Sequence, residues 1–361
     1  MKNKTTVSLS LILATLGIAW NTSAAVTVTG LWPTAPLGGY WSVAYGGSNG
    51  DSSAVGDAET STGYSHASFS NGSTTIDLGT LPGGYYSRVY DMAWNSTYDG
   101  GKWVGYSQIA DGNYHAMAVP FFGGAKVDLG TLGGYNSYAY SVNSSGQIVG
   151  ESEVSPGSLS HAFLYSGGRM IDLGTLGGAA SYALAISDSG KVVGSADTGS
   201  AYHAFLYSGG TMANLGTLGG INSRAFAIND TAGIVGSSDI GGYVERAFLY
   251  KNGAMSSLGT LTGSGISCAR GIDSAAEIVG YSTYSTSSNA THPFLYKNGV
   301  MYDLHKLAAS AGLLSNGSTV GFVSLDTAFA VNDWGSIVGN GMYYDGTGTT
   351  NRGFVLQYTT N

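Results

Sequence analysis

The stretch His161-Ala162-Phe163-Leu164-Tyr165-Ser166-Gly167-Gly168 returns almost letter for letter at His203-Ala204-Phe205-Leu206-Tyr207-Ser208-Gly209-Gly210. Looser copies begin at His66, His115, Arg246, His292 and Arg352. From His161 to His203 is 42 residues, from His203 to Arg246 is 43, and from Arg246 to His292 is 46. A period of this length marks tandem supersecondary units, none of which buries its hydrophobic face alone. Each must stack on the next.

The unit from Ser181 shows the grammar. Residues 181–187 alternate large and small, the period-2 signal of a strand. Asp188-Ser189-Gly190 reads as a hairpin turn, with glycine free to take a positive φ. Residues 191–194 form a second strand, 203–207 a third after a polar loop, and 212–218 a fourth. Four short antiparallel strands in about 42 residues make one propeller blade. The second-strand pair Val-Gly occurs seven times, ending at Gly56, Gly105, Gly150, Gly194, Gly236, Gly280 and Gly339. Residues 26–29 look like a fourth strand without a third, and 353–357 like a third without a fourth. Pairing them removes the exposed edge of an open array. The expectation is an all-β, seven-bladed propeller of four-stranded antiparallel blades, closed by its N- and C-terminal strands.

In the first strands the second residue after the opening Ser or Asp is small: Ala44, Val89, Ala139, Ala183, Ala225, Ala269, Ala328. The next is mostly large: Tyr45, Tyr90, Tyr140, Leu184, Phe226, Arg270, Phe329. Adjacent columns face opposite sides of a sheet. This alternation places the large column, Tyr140 and Phe226 among it, in the packed interface between blades.

The order of these motifs, with Asp-Leu-Gly-Thr-Leu at 77–81, 128–132 and 172–176 and Asn214 opening a fourth copy, resembles the bacterial extracellular HAF-repeat family. The resemblance covers about residues 26–361. It implies a tandem-repeat fold and export, and no particular activity. The last unit departs from the pattern through an insertion at about 305–325, whose first residues have the character of a helical turn or two.

The N-terminus reads as a signal peptide over 1–25: Lys2 and Lys4, an apolar run over 7–19, then Ser23-Ala24-Ala25. Secreted or periplasmic placement follows, with no transmembrane span, since the run is shorter than the roughly 20 residues a span needs. A net charge of −8 argues against nucleic acid as a partner. The lone Cys268 excludes an intramolecular disulfide and reads as a small buried residue.

No catalytic motif, metal-ligand set or cofactor fingerprint is present. The recurrent histidines open equivalent strands in different blades, so they read as strand-start hydrogen bonders to turn backbone or to a neighbouring carboxylate. Recurrent Asp and Asn at the turns read as turn formers. The pairs Asp57/Glu59 and Glu151/Glu153 read as solvated loop charge. What remains is aromatic. Assigning faces by analogy with tryptophan-aspartate-repeat propellers puts Tyr40, Trp41, Tyr85, Tyr86, Tyr135, Tyr138, Tyr182, Tyr202, Tyr243, Tyr281 and Tyr284 on one face, with Arg88, Arg224 and Arg270 near its mouth. Trp41, Tyr86, Arg88, Tyr135, Tyr138, Tyr182 and Arg224 are the candidate ligand-binding residues. Flat rings with a few donors suit sugars or protein partners. The expected function is a monomeric, non-enzymatic binding scaffold for glycans or cell-surface proteins. The alternatives are a propeller hydrolase or lyase acting on extracellular glycans and a purely structural envelope protein.

Overall fold

A computed structural model describes residues 26–47, 53–71, 74–94, 100–231, 233–242, 244–285 and 290–360. The signal segment and Tyr243 lie outside the described residues. The described chain is a ring of seven antiparallel blades. Blade four is typical: Ser181–Ile186 innermost, then Val192–Asp197, Tyr202–Ser208 and Thr211–Asn214 outermost. The seventh blade unites Thr327–Val331, Ser336–Tyr344 and Thr349–Thr360 with the N-terminal strand Val26–Pro33. Val26 pairs with Thr360 and Pro33 with Phe354, so the ring is closed by both ends of the described chain. The stretch after Asp303 holds a helix, Leu304–Ser310, and a short strand, Gly321–Phe322, that pairs with the far end of Ser336–Tyr344. Asp303 caps that helix by accepting from the Lys306 N–H at 3.0 Å.

The repeated residues have separable jobs. The Phe of each His-Ala-Phe motif is fully buried: Phe163, Phe205, Phe248, Phe294 and Phe354. Phe205 pairs across the sheet with Gly194, and an added Cβ there would lie 1.8 Å from the Tyr182 carbonyl oxygen and 3.0 Å from the Phe205 ring. Val-Gly is therefore a packing requirement, because strand backbone and Phe ring occupy the side-chain volume. The core forms between blades: Val193 and Ala204 of blade four pack with Ala225, Ile234 and Phe248 of blade five.

In blades two to six the opening Ser of the inner strand is an inter-blade tie. Ser181 Oγ accepts from the Ala162 N–H at 2.8 Å and donates to the Gly174 carbonyl at 2.5 Å, both in the preceding unit. Ser87, Ser137, Ser223 and Ser267 make the same pair of bonds. At the opposite end the hairpins interlock: Ser144 N–H donates to Asp188 Oδ1 and Asp188 N–H to Asp230 Oδ1, each at 2.8 Å.

His66, His115 and His161 each meet the Asp of the outer strand in the same blade, Asp77, Asp128 and Asp172, at 2.8–2.9 Å. His292 meets Asp303 at 2.9 Å, and His203 meets Asn214. The acceptors also take a backbone N–H two or three residues on, as Asp172 does from Gly174 at 2.8 Å. These residues fasten the outer hairpin.

Three expectations need correction. Outer strands end at the Asp or Asn, so Leu-Gly-Thr-Leu is a connection whose first Leu (Leu78, Leu129, Leu173) turns into the core. Second strands run about three residues beyond the glycine, as Val192–Asp197 does. Finally, each inner strand carries a register shift, between Ala139 and Ser141 in blade three and between Ala225 and Ala227 in blade five. The bulge turns the intervening residue, Tyr140 or Phe226, away from the neighbouring blade and into the central channel. The large column lines the axis. It does not pack between blades.

Candidate binding site

At the mouth of the channel two columns stand side by side. One follows the opening Ser of the inner strands and includes Arg88, Tyr138, Tyr182 and Arg224; the other follows the glycine of the second strands and includes Asp57, Tyr106, Glu151, Ser195 and Ser237. Antiparallel pairing sets Arg88 opposite Tyr106, Tyr138 opposite Glu151 and Arg224 opposite Ser237. Below them lies the channel, a cavity of about 490 Å³ ringed by the large column from Tyr45 to Phe329.

On blades one to three these columns bring tyrosines into one array. Ring centroids are 5.1 Å apart for Tyr45 and Tyr90, 5.2 Å for Tyr90 and Tyr140, 6.1 Å for Tyr90 and Tyr106, and 5.0 Å for Tyr106 and Tyr138. Tyr114 extends the array outward, 5.6 Å from Tyr106. The Arg88 guanidinium lies amid these rings, 5.1 Å from Tyr45, 5.8 Å from Tyr90 and 6.0 Å from Tyr106. It meets Asp57 at 3.0 Å, and Asp57 also accepts from Ser65 Oγ at 2.6 Å. Burial works against the Arg88 charge, but Asp57 and the ring hydroxyls outweigh it and raise the group above its ordinary range. Burial likewise pushes the Tyr106 hydroxyl up to about 12.

Glu151 is mostly buried and accepts the Tyr140 hydroxyl at 2.5 Å. Burial raises its carboxyl above the usual carboxylate range, opposed by hydrogen bonds from Tyr140 and Ser160 and by Arg224. The reading of Asp57 and Glu151 as solvated loop charge is thus overturned. Both sit within strands, Ala54–Thr60 and Ile148–Glu153, and Asp57 has no exposed surface. Glu59 and Glu153 do face the rim, where they accept the Tyr40 N–H at 2.7 Å and the Tyr135 N–H at 2.9 Å. Among the described residues no group of three His, Cys, Asp or Glu is placed to hold a metal ion.

The candidate residues divide between several places. Arg88 and Tyr138 belong to the array. Tyr182 pairs with Tyr202 at 6.0 Å on blade four, and Arg224 with Tyr202 lines a cavity of about 370 Å³ that also contains Ser237, Asp239 and Glu245. Tyr86 joins Tyr64 (5.3 Å) and Tyr85 in a rim cluster outside the array. Tyr135 is exposed and Trp41 half-buried, and neither has a ring contact among the described residues. Sequence reasoning missed Tyr45, Tyr90, Tyr106 and Tyr140 as wall residues. The signal for Tyr106 was the residue after Val-Gly, a polar or aromatic column reading Asp57, Tyr106, Glu151, Ser195, Ser237, Tyr281 and Asn340. Cys268 is buried, as expected.

No protein-family model matches the chain, and no curated protein matches it. Among solved structures it is similar to a puromycin-hydrolysing peptidase of Mycobacterium tuberculosis, at a TM-score of 0.54 and 11% identity over 85% of this chain. It is also similar to a prolyl endopeptidase, at 0.52 and 9% over 93%. TolB of Acinetobacter baumannii aligns at 0.42 and 14% over 69%. The chain spans 52%, 50% and 60% of those structures' own lengths. At such identities the likeness shows the propeller fold alone.

Proposed function

We propose that the protein is an exported HAF-repeat propeller acting as a non-enzymatic scaffold that binds glycan chains across the mouth on blades one to three. One observation carries the reading: a continuous array of tyrosine rings, 5.0–6.1 Å apart, set on strand backbone around the Arg88 guanidinium. Rings held by neighbouring strands lose little entropy on binding, and their flat apolar faces with hydroxyl edges match the two-sided character of sugar rings. Export rests on the signal-like segment. Among the described residues no helix is long and apolar enough to cross a membrane.

A screen of the purified protein against neutral and acidic oligosaccharides tests the proposal, with Tyr138→Ala as the diagnostic variant. Tyr138 is half-buried and lies on the outer side of the array, so the variant should fold. Its loss should weaken the best hit by about 1–2 kcal/mol while leaving the melting temperature within a few degrees. No saccharide binding, or binding indifferent to Tyr138, counts against it. One observation favours a glycan hydrolase as a second reading: Glu151, with its raised carboxyl, has the character of a general acid. Product release from oligosaccharides that disappears in Glu151→Gln would favour that reading.

A further inference from the structure

The two halves of the mouth treat their arginines differently. On blades one and two Arg88 is neutralised by Asp57 at 3.0 Å. On blades five and six Arg224 and Arg270 have no ion pair or hydrogen-bond acceptor among the described residues. Both guanidiniums approach one ring, Phe226, at 5.9 Å and 4.0 Å from its centroid. The two cations are therefore neighbours, and the Arg270 Nε is buried without a partner.

Asp239 and Glu245 share the cavity with Arg224 but form no ion pair with it among the described residues. Glu245 accepts from Ser237 Oγ, and Asp239 accepts from the main-chain and side-chain N–H groups of Asn222 at 3.1 Å. Glu151, which lies within electrostatic reach of Arg224, accepts the Tyr140 hydroxyl, and burial raises its carboxyl above the usual range. Arg224 is exposed and opens onto the cavity of about 370 Å³, large enough for a single sugar unit. Arg224 beside this cavity and Arg270 on the adjoining channel wall are planar donors without a protein acceptor, open to an anionic acceptor supplied by the ligand. The fork of a guanidinium matches a carboxylate in two parallel hydrogen bonds.

We infer that the blade-five and blade-six side of the mouth is an anion subsite that takes the carboxylate of a uronic-acid unit. The inference rests on the glycan-binding reading and deepens it: the glycan recognised would be an acidic one, lying with its neutral rings on the tyrosines and a uronate at Arg224.

Two measurements keep the readings apart. The first follows the arginine Nε–Hε resonances of the purified protein during titration with free D-galacturonate, its methyl ester and inorganic sulfate. The Arg224 and Arg270 signals should move with galacturonate, stay still with the ester, and respond less to sulfate. Arg224→Gln should abolish the response while the thermal transition is kept. Equal shifts with ester and acid, no shift with galacturonate, or a stronger response to sulfate would overturn the uronate subsite, whatever neutral glycans do. The second compares oligogalacturonate with its methyl-esterified form: Arg224→Gln should cost the acid about tenfold or more in affinity and leave the ester unchanged. An equal loss for both would overturn the subsite. Failure of every oligosaccharide, with the monosaccharide shifts intact, would remove the tyrosine-array reading and spare the subsite.

Discussion

Replacing Ser181 with Ala should cost more stability than the loss of one oxygen atom suggests. Ser181 has no exposed surface, and its hydroxyl serves two backbone groups of the preceding unit, the Ala162 N–H at 2.8 Å and the Gly174 carbonyl at 2.5 Å. Alanine leaves the buried Ala162 N–H and the part-buried Gly174 carbonyl unpaired. Each stranded group costs about 1–3 kcal/mol, and about 1 kcal/mol is recovered because no hydroxyl has to be desolvated. The expected loss centres on about 3 kcal/mol. Urea unfolding followed by tryptophan emission measures it, with Ser208→Ala as the control, since Ser208 ends its strand exposed. The control should lie within about 0.5 kcal/mol of the parent. A Ser181→Ala midpoint indistinguishable from that of the control would show that water or backbone adjustment satisfies the two groups. The idea that the repeated Ser ties the blades together would then fail.

Three further outcomes follow from the same structure. Gly194→Ala should fail to give folded protein, because its Cβ would lie 1.8 Å from the Tyr182 carbonyl oxygen, and soluble expression with an unchanged circular dichroism spectrum would refute this. Deleting residues 351–361 removes the partner of both Ser336–Tyr344 and Val26–Pro33, so light scattering should reveal aggregation through the bared edges; a monomeric, equally stable truncation would contradict it. Asp91 is pushed by burial from 3.8 to about 6, against hydrogen bonds from Val142, Ser141 and Met92. A raised carboxyl stabilises the fold fully below its unfolded value, and that contribution is lost as pH rises through the folded value. Stability measured across pH 3.8 to 6 should therefore decline in the parent and stay level, as far as this group is concerned, in Asp91→Asn; parallel profiles would exclude Asp91 as the cause.

The blade count was legible because glycine reports a steric fact that nothing else satisfies. Wherever a second strand passes a first-strand carbonyl, as Gly194 passes that of Tyr182, no side chain fits, so the Val-Gly pairs that recur at the repeat spacing count the blades. The terminal half-blades were legible because a missing strand leaves an edge that must be paired. The channel wall was not. Alternation assumes an unbroken pleat, and the bulge after Ala139 or Ala225 leaves no mark in composition, so Tyr140 and Phe226 were assigned to the wrong surface. The carboxylates were misread for a related reason. Asp57 and Glu151 follow a glycine and so look like loop residues, yet the ladder continues past them into the mouth. Arg88 and Arg224 share a column, and only the three-dimensional arrangement distinguishes the neutralised cation from the open one.

The pairing of Val26 with Thr360 also sets a clock on folding. A ribosome adds roughly 5–20 residues per second, so the first strand waits some 20–60 seconds before its partner exists. During that interval six blades can stack on local contacts, while the seventh lacks both an inner hairpin and an outer edge. Closure then brings together residues 334 positions apart, the kind of long-range contact that slows folding.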